Sequence, residues 1–228
     1  MRKIAVIAGT PVDTKMGVDF IEQKNEEKES RVCEPMYLPA AEDCDAQMAF
    51  QYGSTEEKRR RLDEIFEAAI NDGASDFFIY CNSLSGAFDF ESYAAEKSQD
   101  AEMEINVYTP LQIYAGLGRS YSCIAVLAAH NMSAYAIEEV LMSVNPDISV
   151  IGSGNMQLVR MIEEHADPAE IADSCGLRGL MEYFEASGAE ALILGCTHFP
   201  YLKAELEKMT SLPIIDPAEE MYAKIFDS

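Results

Sequence analysis

The sequence predicts an α/β protein with two parallel sheets. Short, continuous apolar runs alternate with amphipathic stretches of helical length along the 228-residue chain. Apolar runs of this kind are typical of parallel strands that helices cover on both faces. The eight runs fall into two sets of four, which predicts two halves, each a four-stranded parallel sheet flanked by helices.

The strands of the first set are predicted at residues 3–9, 32–38, 76–81 and 105–109, and those of the second at 122–128, 148–152, 190–196 and 212–216. The stretch 54–74 represents the intervening helices. Apolar residues recur there at helical spacing, behind a cap at Ser54 or Thr55 and before a stop at Gly73. Strand and helix therefore alternate in each half.

The net charge excludes two classes of partner. The chain carries 17 basic and 40 acidic side chains, a formal net charge of −23, and its pI is about 4.3. Such a surface repels phosphate backbones and anionic lipid headgroups. We therefore expect neither nucleic acid nor a membrane as a partner.

The amino-terminal run and the cysteines indicate a cytoplasmic protein. The run "IAVIAG" (4–9) is too short for a signal-peptide core, and no apolar stretch is long enough to span a bilayer. The six cysteines lie mostly in apolar segments of a chain too large to need disulfide bonds. Reduced thiols in the cytoplasm are the expectation.

Two apolar runs end in a cysteine followed by polar residues: "FFIYCNSLSGAF" (77–88) and "LILGCTHFP" (192–200). Cys81 and Cys196 thus close the third predicted strand of each half. The carboxyl ends of parallel strands are where open α/β sheets bind their ligands. If the two sheets face each other, the thiols stand on opposite walls of one cleft, where backbone N–H groups of the following helix starts can hold a carboxylate.

These cysteines also have other interpretations. A cysteine at the end of a buried strand is often plain core, and a redox pair would lack the usual C-x-x-C spacing. With neither C-x-x-C nor H-x-x-x-H and with three histidines in the chain, we expect no metal. "GSGN" (152–155) lacks the third glycine of a dinucleotide fingerprint and is interpreted as a turn, so no cofactor is expected. Packing or surface positions are predicted for Cys33, Cys44, Cys123 and Cys175.

Several segments, in order along the chain, resemble motifs of the aspartate/glutamate racemase superfamily, which are cofactor-independent two-cysteine amino-acid racemases. "LILGCTHFP" looks like the second-cysteine motif, and "CNS" (81–83) resembles the first. "LVRMIEEH" (158–165) is similar to the stretch that carries a glutamate beside the second cysteine. "INVYTPLQIYA" (105–115) is similar to the crossing between the family domains, and "LPIID" (212–216) to the last family strand.

The resemblance implies a fold and its domains. The family fold consists of two flavodoxin-like halves related by a pseudo-two-fold axis, with the active site between them and no cofactor. Residues 1–111 with 218–228 are then expected to form the domain that carries Cys81, and residues 112–217 the domain that carries Cys196.

The resemblance also implies a role for each matching residue. Cys81 and Cys196 correspond to the catalytic thiols on opposite faces of the substrate α-carbon. His198 and Glu163 correspond to the groups that assist the second thiol. The residues expected to contact the amino-acid substrate are Gly9, Thr10, Asn82, Ser83 and Thr197.

The sequence departs from glutamate racemases at two places. The Asp-Ser-Gly that follows their first strand, whose acid assists the first thiol, is here Ala8-Gly9-Thr10. "AGTPVDT" (8–14) is closer to the glycine-rich turn of aspartate racemases. The family's Thr-x-Gly-Thr after the fifth strand is replaced by residues 129–132, Ala-His-Asn-Met, which removes two hydroxyls.

The expected function is therefore that of an isomerase, a PLP-independent racemase of aspartate, glutamate or a related acidic amino acid. Hydantoin racemase, maleate-type isomerase and a non-catalytic small-molecule-binding protein remain alternatives. The sequence leaves open whether the protein forms a homodimer. Candidate partners for a substrate side-chain carboxylate, which surface ion pairs explain equally well, are Arg59, Arg60, Arg61, Arg160 and Arg178.

Overall fold

The computed structural model describes residues 2–27 and 33–227, in which strands and helices alternate. The chain divides into two compact units: Met1–Pro110 with Ala218–Ser228, and Leu111–Pro217. In the described residues, no helix combines the length and the apolar character needed to cross a bilayer.

The first unit contains one parallel sheet. Its strands pair in the order β2-β1-β3-β4, so β1 and β3 are central. In chain order the elements are β1 (Arg2–Ala8), α1 (Pro11–Glu27), β2 (Cys33–Pro39), α2 (Cys44–Tyr52), α3 (Thr55–Asn71), β3 (Ala74–Ile79), α4 (Asn82–Ala87), α5 (Phe90–Asp100), β4 (Asn106–Tyr108) and, from the end of the chain, α12 (Ala218–Asp227).

The second unit repeats this topology. Helix α6 (Pro110–Leu117) leads into it, and the strand order β6-β5-β7-β8 is the counterpart of the first sheet, again parallel throughout. The remaining elements are β5 (Cys123–Ala128), α7 (Asn131–Val144), β6 (Ser149–Gly154), α8 (Met156–Glu163), α9 (Pro168–Ser174), α10 (Leu177–Ala186), β7 (Leu192–Gly195), a 3-10 helix (Phe199–Leu202), α11 (Lys203–Leu206) and β8 (Ile214–Ile215).

The predicted fold class, two four-stranded parallel sheets flanked by helices, is confirmed for the described residues. Several strand ends differ from the prediction. Strand β3 ends at Ile79, two residues before Cys81, although Tyr80 N still donates to Ile7 O at 2.7 Å. Strand β8 has two residues because Pro213 and Pro217, which cannot donate to a ladder, lie close on either side. Val32, where β2 was predicted to begin, lies outside the described residues.

Further along, β6 continues to Gly154, so most of "GSGN" belongs to a strand. Helix α3 follows its prediction closely. Ser54 and Glu57 form a reciprocal capping box at its start, and Gly73 takes a φ of +90° after its end. A non-glycine residue rarely adopts that backbone angle, which explains the stop.

Each sheet has its own apolar core. In the first unit, residues 4–8 of β1 are fully buried, and the ring of Phe66 on α3 stacks on Phe77 of β3 at 3.9 Å. Helix α12 packs on the same unit, where Tyr222 meets the ring of Phe20 edge-on at 6.0 Å and Glu219 pairs with Lys24 at 2.9 Å. In the second unit, β5 and β7 pack against α7 through Val126, Ile193, Ile137 and Leu141. Strands β3 and β7, whose carboxyl ends lead to Cys81 and Cys196, are thus part of these cores.

Candidate active site

The second cysteine lies at the carboxyl end of β7. Cys196 directly follows Gly195, the last residue of the strand, and is 8% exposed. The chain then turns, with Phe199 N donating to Cys196 O at 3.0 Å, into the 3-10 helix that carries Pro200 in its first turn. This tight turn buries the side chains of Thr197 and His198 beside the thiol's strand end.

Three side chains form a connected chain at this strand end. His198 Nδ1 lies 3.6 Å from Cys196 Sγ, and His198 Nε2 lies 3.1 Å from Glu163 Oε1. Glu163 is the last residue of α8, so a helix end brings it to the imidazole. The imidazole is 3% exposed and the carboxylate 19%, so little water competes for either contact.

The hydrogen-bonding capacity of Glu163 indicates which nitrogen of His198 carries the hydrogen. A carboxylate only accepts hydrogen bonds, so the hydrogen of a neutral His198 belongs on Nε2, towards Glu163. Nδ1 then presents its lone pair to the thiol and can accept the proton of Cys196. Glu163 stabilises the imidazolium that results.

The first cysteine lies two residues beyond β3, at the start of α4, and is 3% exposed. Its backbone carbonyl accepts from Ser85, whose N and Oγ lie at 3.1 and 2.7 Å. Cys81 Sγ lies 3.3 Å from Ser83 Oγ and 3.4 Å from Gln47 Nε2. Polar donors from two elements therefore surround this sulfur.

Gln47 was not among the predicted site residues. It stands on α2, whose start is capped by Asp43 accepting from Ala46 N at 2.8 Å. Besides the sulfur, its Nε2 also contacts Ser83 Oγ at 3.0 Å. A glutamine in an ordinary surface helix carries no local signal of such a contact, so the sequence offers no route to it.

The turn after β1 is organised by Asp13. Thr10 N and Oγ1 donate to Asp13 Oδ1 at 2.6 and 3.0 Å, and Gly9 N donates to Oδ2 at 3.2 Å. With Asp13 N near Thr10 Oγ1 at 3.4 Å, this is a capping box at the start of α1. The Thr-x-x-Asp spacing of residues 10–13 is the sequence signal of this box.

The remaining predicted contact residues are placed as follows. Gly9 and Thr10 lie at the end of β1, the strand beside β3. Asn82 is the buried first residue of α4, with Ser83 next to it, and Thr197 is buried between Cys196 and His198. A Cβ at position 9 would lie 2.0 Å from Gln47 Nε2, so a larger residue there would displace the Gln47 side chain.

His130 lies two residues beyond β5, at the start of α7. Its Nδ1 accepts from Ser133 N at 3.2 Å and caps α7. Burial lowers the pKa of His130 below its ordinary value of 6.5. Burial thus favours the neutral His130 ring, which can accept the hydrogen bond from Ser133 N.

Two of the candidate arginines form surface ion pairs. Arg59 pairs with Glu96, and Arg61 pairs with Glu64 at 3.1 Å while donating to the carbonyls of Pro39 and Ala40. These pairs account for both side chains without a ligand.

The other cysteines have apolar or structural surroundings. Cys33 is buried beside Asn25, and burial raises the pKa of Cys123 and of Cys175. Over residues 2–27 and 33–227, no three His, Cys, Asp or Glu side chains are grouped so as to hold a metal ion.

Comparison with known proteins identifies the chain's relatives. Residues 117–224 match the model of the family described as Asp/Glu/Hydantoin racemase. A glutamate racemase of Limosilactobacillus reuteri (strain DSM 20016) is 39% identical over 89 residues, which cover 38% of this chain and 32% of the relative. A glutamate racemase of Ectopseudomonas mendocina is 28% identical over 166 residues, 72% of this chain and 61% of the relative. The matches thus span about a third to three fifths of these relatives.

Solved structures share the fold over the whole chain. The glutamate racemase of Francisella tularensis in complex with D-glutamate superposes with a TM-score of 0.69 at 19% identity, covering 99% of this chain and 81% of that one. An aspartate racemase of Picrophilus torridus gives 0.70 at 14% identity, with coverages of 100% and 94%. The second half of the chain is therefore similar to the Asp/Glu/Hydantoin racemase family, and the whole chain shares its fold with these glutamate and aspartate racemases.

Proposed function

We propose that this protein is a cofactor-independent racemase of aspartate, glutamate or a related acidic amino acid, acting through Cys81 and Cys196. The observation that carries the proposal is the buried chain from Cys196 through His198 to Glu163. A thiol at a strand end with its own proton acceptor has the properties of an acid/base group rather than of packing.

Racemisation needs two such groups. One base takes the α-proton from one face, and an acid on the other face returns a proton, so the stereocentre inverts. In one direction the Cys196 thiolate removes the proton and the Cys81 thiol donates one; in the other direction the roles exchange. After each turnover, Cys196 and Cys81 hold the reverse proton states.

The His198–Glu163 pair resets the second thiol. His198 Nδ1 takes the proton that Cys196 has gained, and Glu163 balances the positive charge on the ring. Backbone N–H groups and the polar side chains of Asn82, Ser83 and Thr197 are the proposed donors for the substrate carboxylate. Fixed donors also stabilise the charge that develops at the α-carbon without a cofactor.

Acidic amino acids are the proposed substrates because the solved relatives act on them: the Francisella structure is a glutamate racemase with D-glutamate, and the Picrophilus protein is an aspartate racemase. Hydantoin racemase is a second candidate. The matched family includes it by name, and Ala8 and residues 129–132 lack the acid and hydroxyls expected of a glutamate racemase.

Exchange of the α-hydrogen in deuterated water tests the proposal. The substrates are both enantiomers of aspartate, of glutamate and of a 5-substituted hydantoin, analysed by mass spectrometry and chiral chromatography. We expect exchange and racemisation with one pair of enantiomers. A protein that binds a substrate without exchanging its α-hydrogen would be a binding relative, and the proposal would fail.

Single cysteine variants test the two-base mechanism. Cys81→Ser and Cys196→Ser should each abolish racemisation while leaving exchange with only one enantiomer, because one base still serves one face. Cys123→Ser is the matched control, since Cys123 begins β5 at the opposite end from the strand's carboxyl edge. Full racemase activity in either active-site variant would contradict the mechanism.

A further inference from the structure

We propose that Gln47 is a positioning residue that holds the Cys81 sulfur as an anion in place of the missing family acid. The inference deepens the proposed function, because it assumes that Cys81 serves as a base. It concerns a neutral amide on α2, 34 positions from the cysteine in sequence.

The amide nitrogen reaches both polar groups at the strand end. Gln47 Nε2 has two hydrogens and lies 3.4 Å from Cys81 Sγ and 3.0 Å from Ser83 Oγ. With its oxygen accepting from the amide, Ser83 is free to direct its own hydrogen at the sulfur, 3.3 Å away. An anionic sulfur would thus receive two hydrogen bonds, and such bonds stabilise the charged form of an acid.

The amide is held in place by the backbone of β1. A Cβ on Gly9 would lie 2.0 Å from Gln47 Nε2 and 2.2 Å from its Cδ, so the side chain packs directly on the glycine. Because any larger residue at position 9 would displace the amide, Gly9 has a defined role in supporting Gln47.

Carboxylates cap the helices α1 and α2 at their starts. Asp13 at the start of α1 accepts from Gly9 N and from Thr10 N and Oγ1, and Asp43 at the start of α2 accepts from Ala46 N. A neutral amide cannot take a proton from the thiol, as a carboxylate could. Its contribution is to favour the thiolate, in contrast to the proton acceptor His198 at the second thiol.

Alkylation of Cys81 as a function of pH tests the proposal. The 228-residue chain is treated with iodoacetamide, and carbamidomethylation of the Cys81 and Cys196 peptides is followed by mass spectrometry. In Gln47→Leu the pH midpoint for Cys81 should rise by about one unit, the size expected for a lost hydrogen bond to a charged group. In Gln47→Glu, which has the same shape but an opposing charge, the rise should be larger.

The midpoint for Cys196 should not move in either variant. Gln51→Leu is the matched control, because Gln51 is buried one turn further along α2. Unchanged Cys81 midpoints in Gln47→Leu and Gln47→Glu would overturn the proposal. An equal shift in Gln51→Leu would also overturn it, since the cause would then be a general disturbance of α2.

Gly9→Ala provides an independent variant that leaves the amide chemically intact. It should raise the pH midpoint for Cys81 as Gln47→Leu does. In the double variant Gly9→Ala/Gln47→Leu the midpoint should rise no further, because both changes remove the same contact. Additive shifts would contradict the proposal. Alkylation needs no turnover, so absence of α-hydrogen exchange in the wild type would refute the racemase function and leave this test valid.

Discussion

Replacing Glu163 by glutamine tests whether the chain of contacts at the second thiol moves protons. The substitution keeps the shape of the side chain, and an amide oxygen can still accept from His198 Nε2 at 3.1 Å. What is lost is the negative charge that stabilises the imidazolium after the thiol proton has moved to Nδ1. The expected result is slower racemisation with little change in folding.

The magnitude follows from the burial of the pair. A hydrogen bond to a charged group contributes about 1.5–3 kcal/mol, and about 1.4 kcal/mol corresponds to a tenfold change in rate. The imidazole is 3% exposed and the carboxylate 19%, so solvent screens the interaction weakly. We expect Glu163→Gln to lower kcat by roughly 10- to 100-fold. His198→Asn, which removes the proton acceptor itself, should lower it by about 10²–10⁴.

The assay measures initial rates from each enantiomer by circular dichroism, with solvent isotope effects. The loss of rate in Glu163→Gln should be larger for the enantiomer whose α-proton Cys196 removes. Because equilibrium fixes the ratio of kcat/KM in the two directions, this asymmetry must appear in kcat and KM separately. Glu164→Gln is the matched control, since the neighbouring Glu164 is exposed.

Glutamate 163 acts through the histidine in this scheme, so the double variant Glu163→Gln/His198→Asn should be no slower than His198→Asn alone. Two results would refute the reasoning: an unchanged kcat in Glu163→Gln, or losses that multiply in the double variant. The second result would mean that Glu163 contacts the reaction by another route.

Two further predictions concern stability. Burial lowers the pKa of His130, so between its ordinary value of 6.5 and the lower folded value the unfolded chain binds a proton that the folded protein does not. The contribution of His130 to the unfolding free energy is therefore fully present above about pH 6.5 and decreases below it. In urea titrations, His130→Asn, which keeps a capping residue, should lose less unfolding free energy than the wild type between about pH 7.5 and 5.5. An identical pH dependence of the two proteins would contradict the assignment. Ser54→Ala should lower the unfolding free energy by about 0.5–2 kcal/mol through loss of the α3 capping box. Ser187→Ala, at an exposed position that follows α10, should have little effect. Equal unfolding free energies of Ser54→Ala and the wild type would contradict the role of the cap.

The order of strands and helices could be predicted from the sequence, because a strand buried on both faces of a parallel sheet is a continuous apolar run. The fully buried β1 is a continuous apolar run, and α3 shows both its apolar stripe and its cap. The ends of the elements were less accessible. Strand β8 is shortened by its flanking prolines, and the chain past Cys196 forms a 3-10 helix before α11, since these ends depend on hydrogen bonds with neighbouring strands and turns.

The candidate site divides in the same way. Cys81, Cys196 and His198 were predicted from the sequence, because each lies within three residues of a strand end that the apolar pattern reveals. Glu163 was suggested by a family resemblance, and its contact with His198 spans 35 positions. Gln47 was not found at all.

The local pattern of the chain therefore indicates which strand ends carry thiol and polar side chains, since hydrophobic periodicity and caps are properties of adjacent residues. The partners of those side chains depend on the packing of distant elements. The helix end that brings Glu163 to the imidazole, and the packing of Gln47 on Gly9 beside Cys81, arise from how α8 and α2 pack on their sheets. A hydrogen bond forms where two groups are brought within about 3 Å of each other, and packing over long sequence separations achieves this without any local pattern.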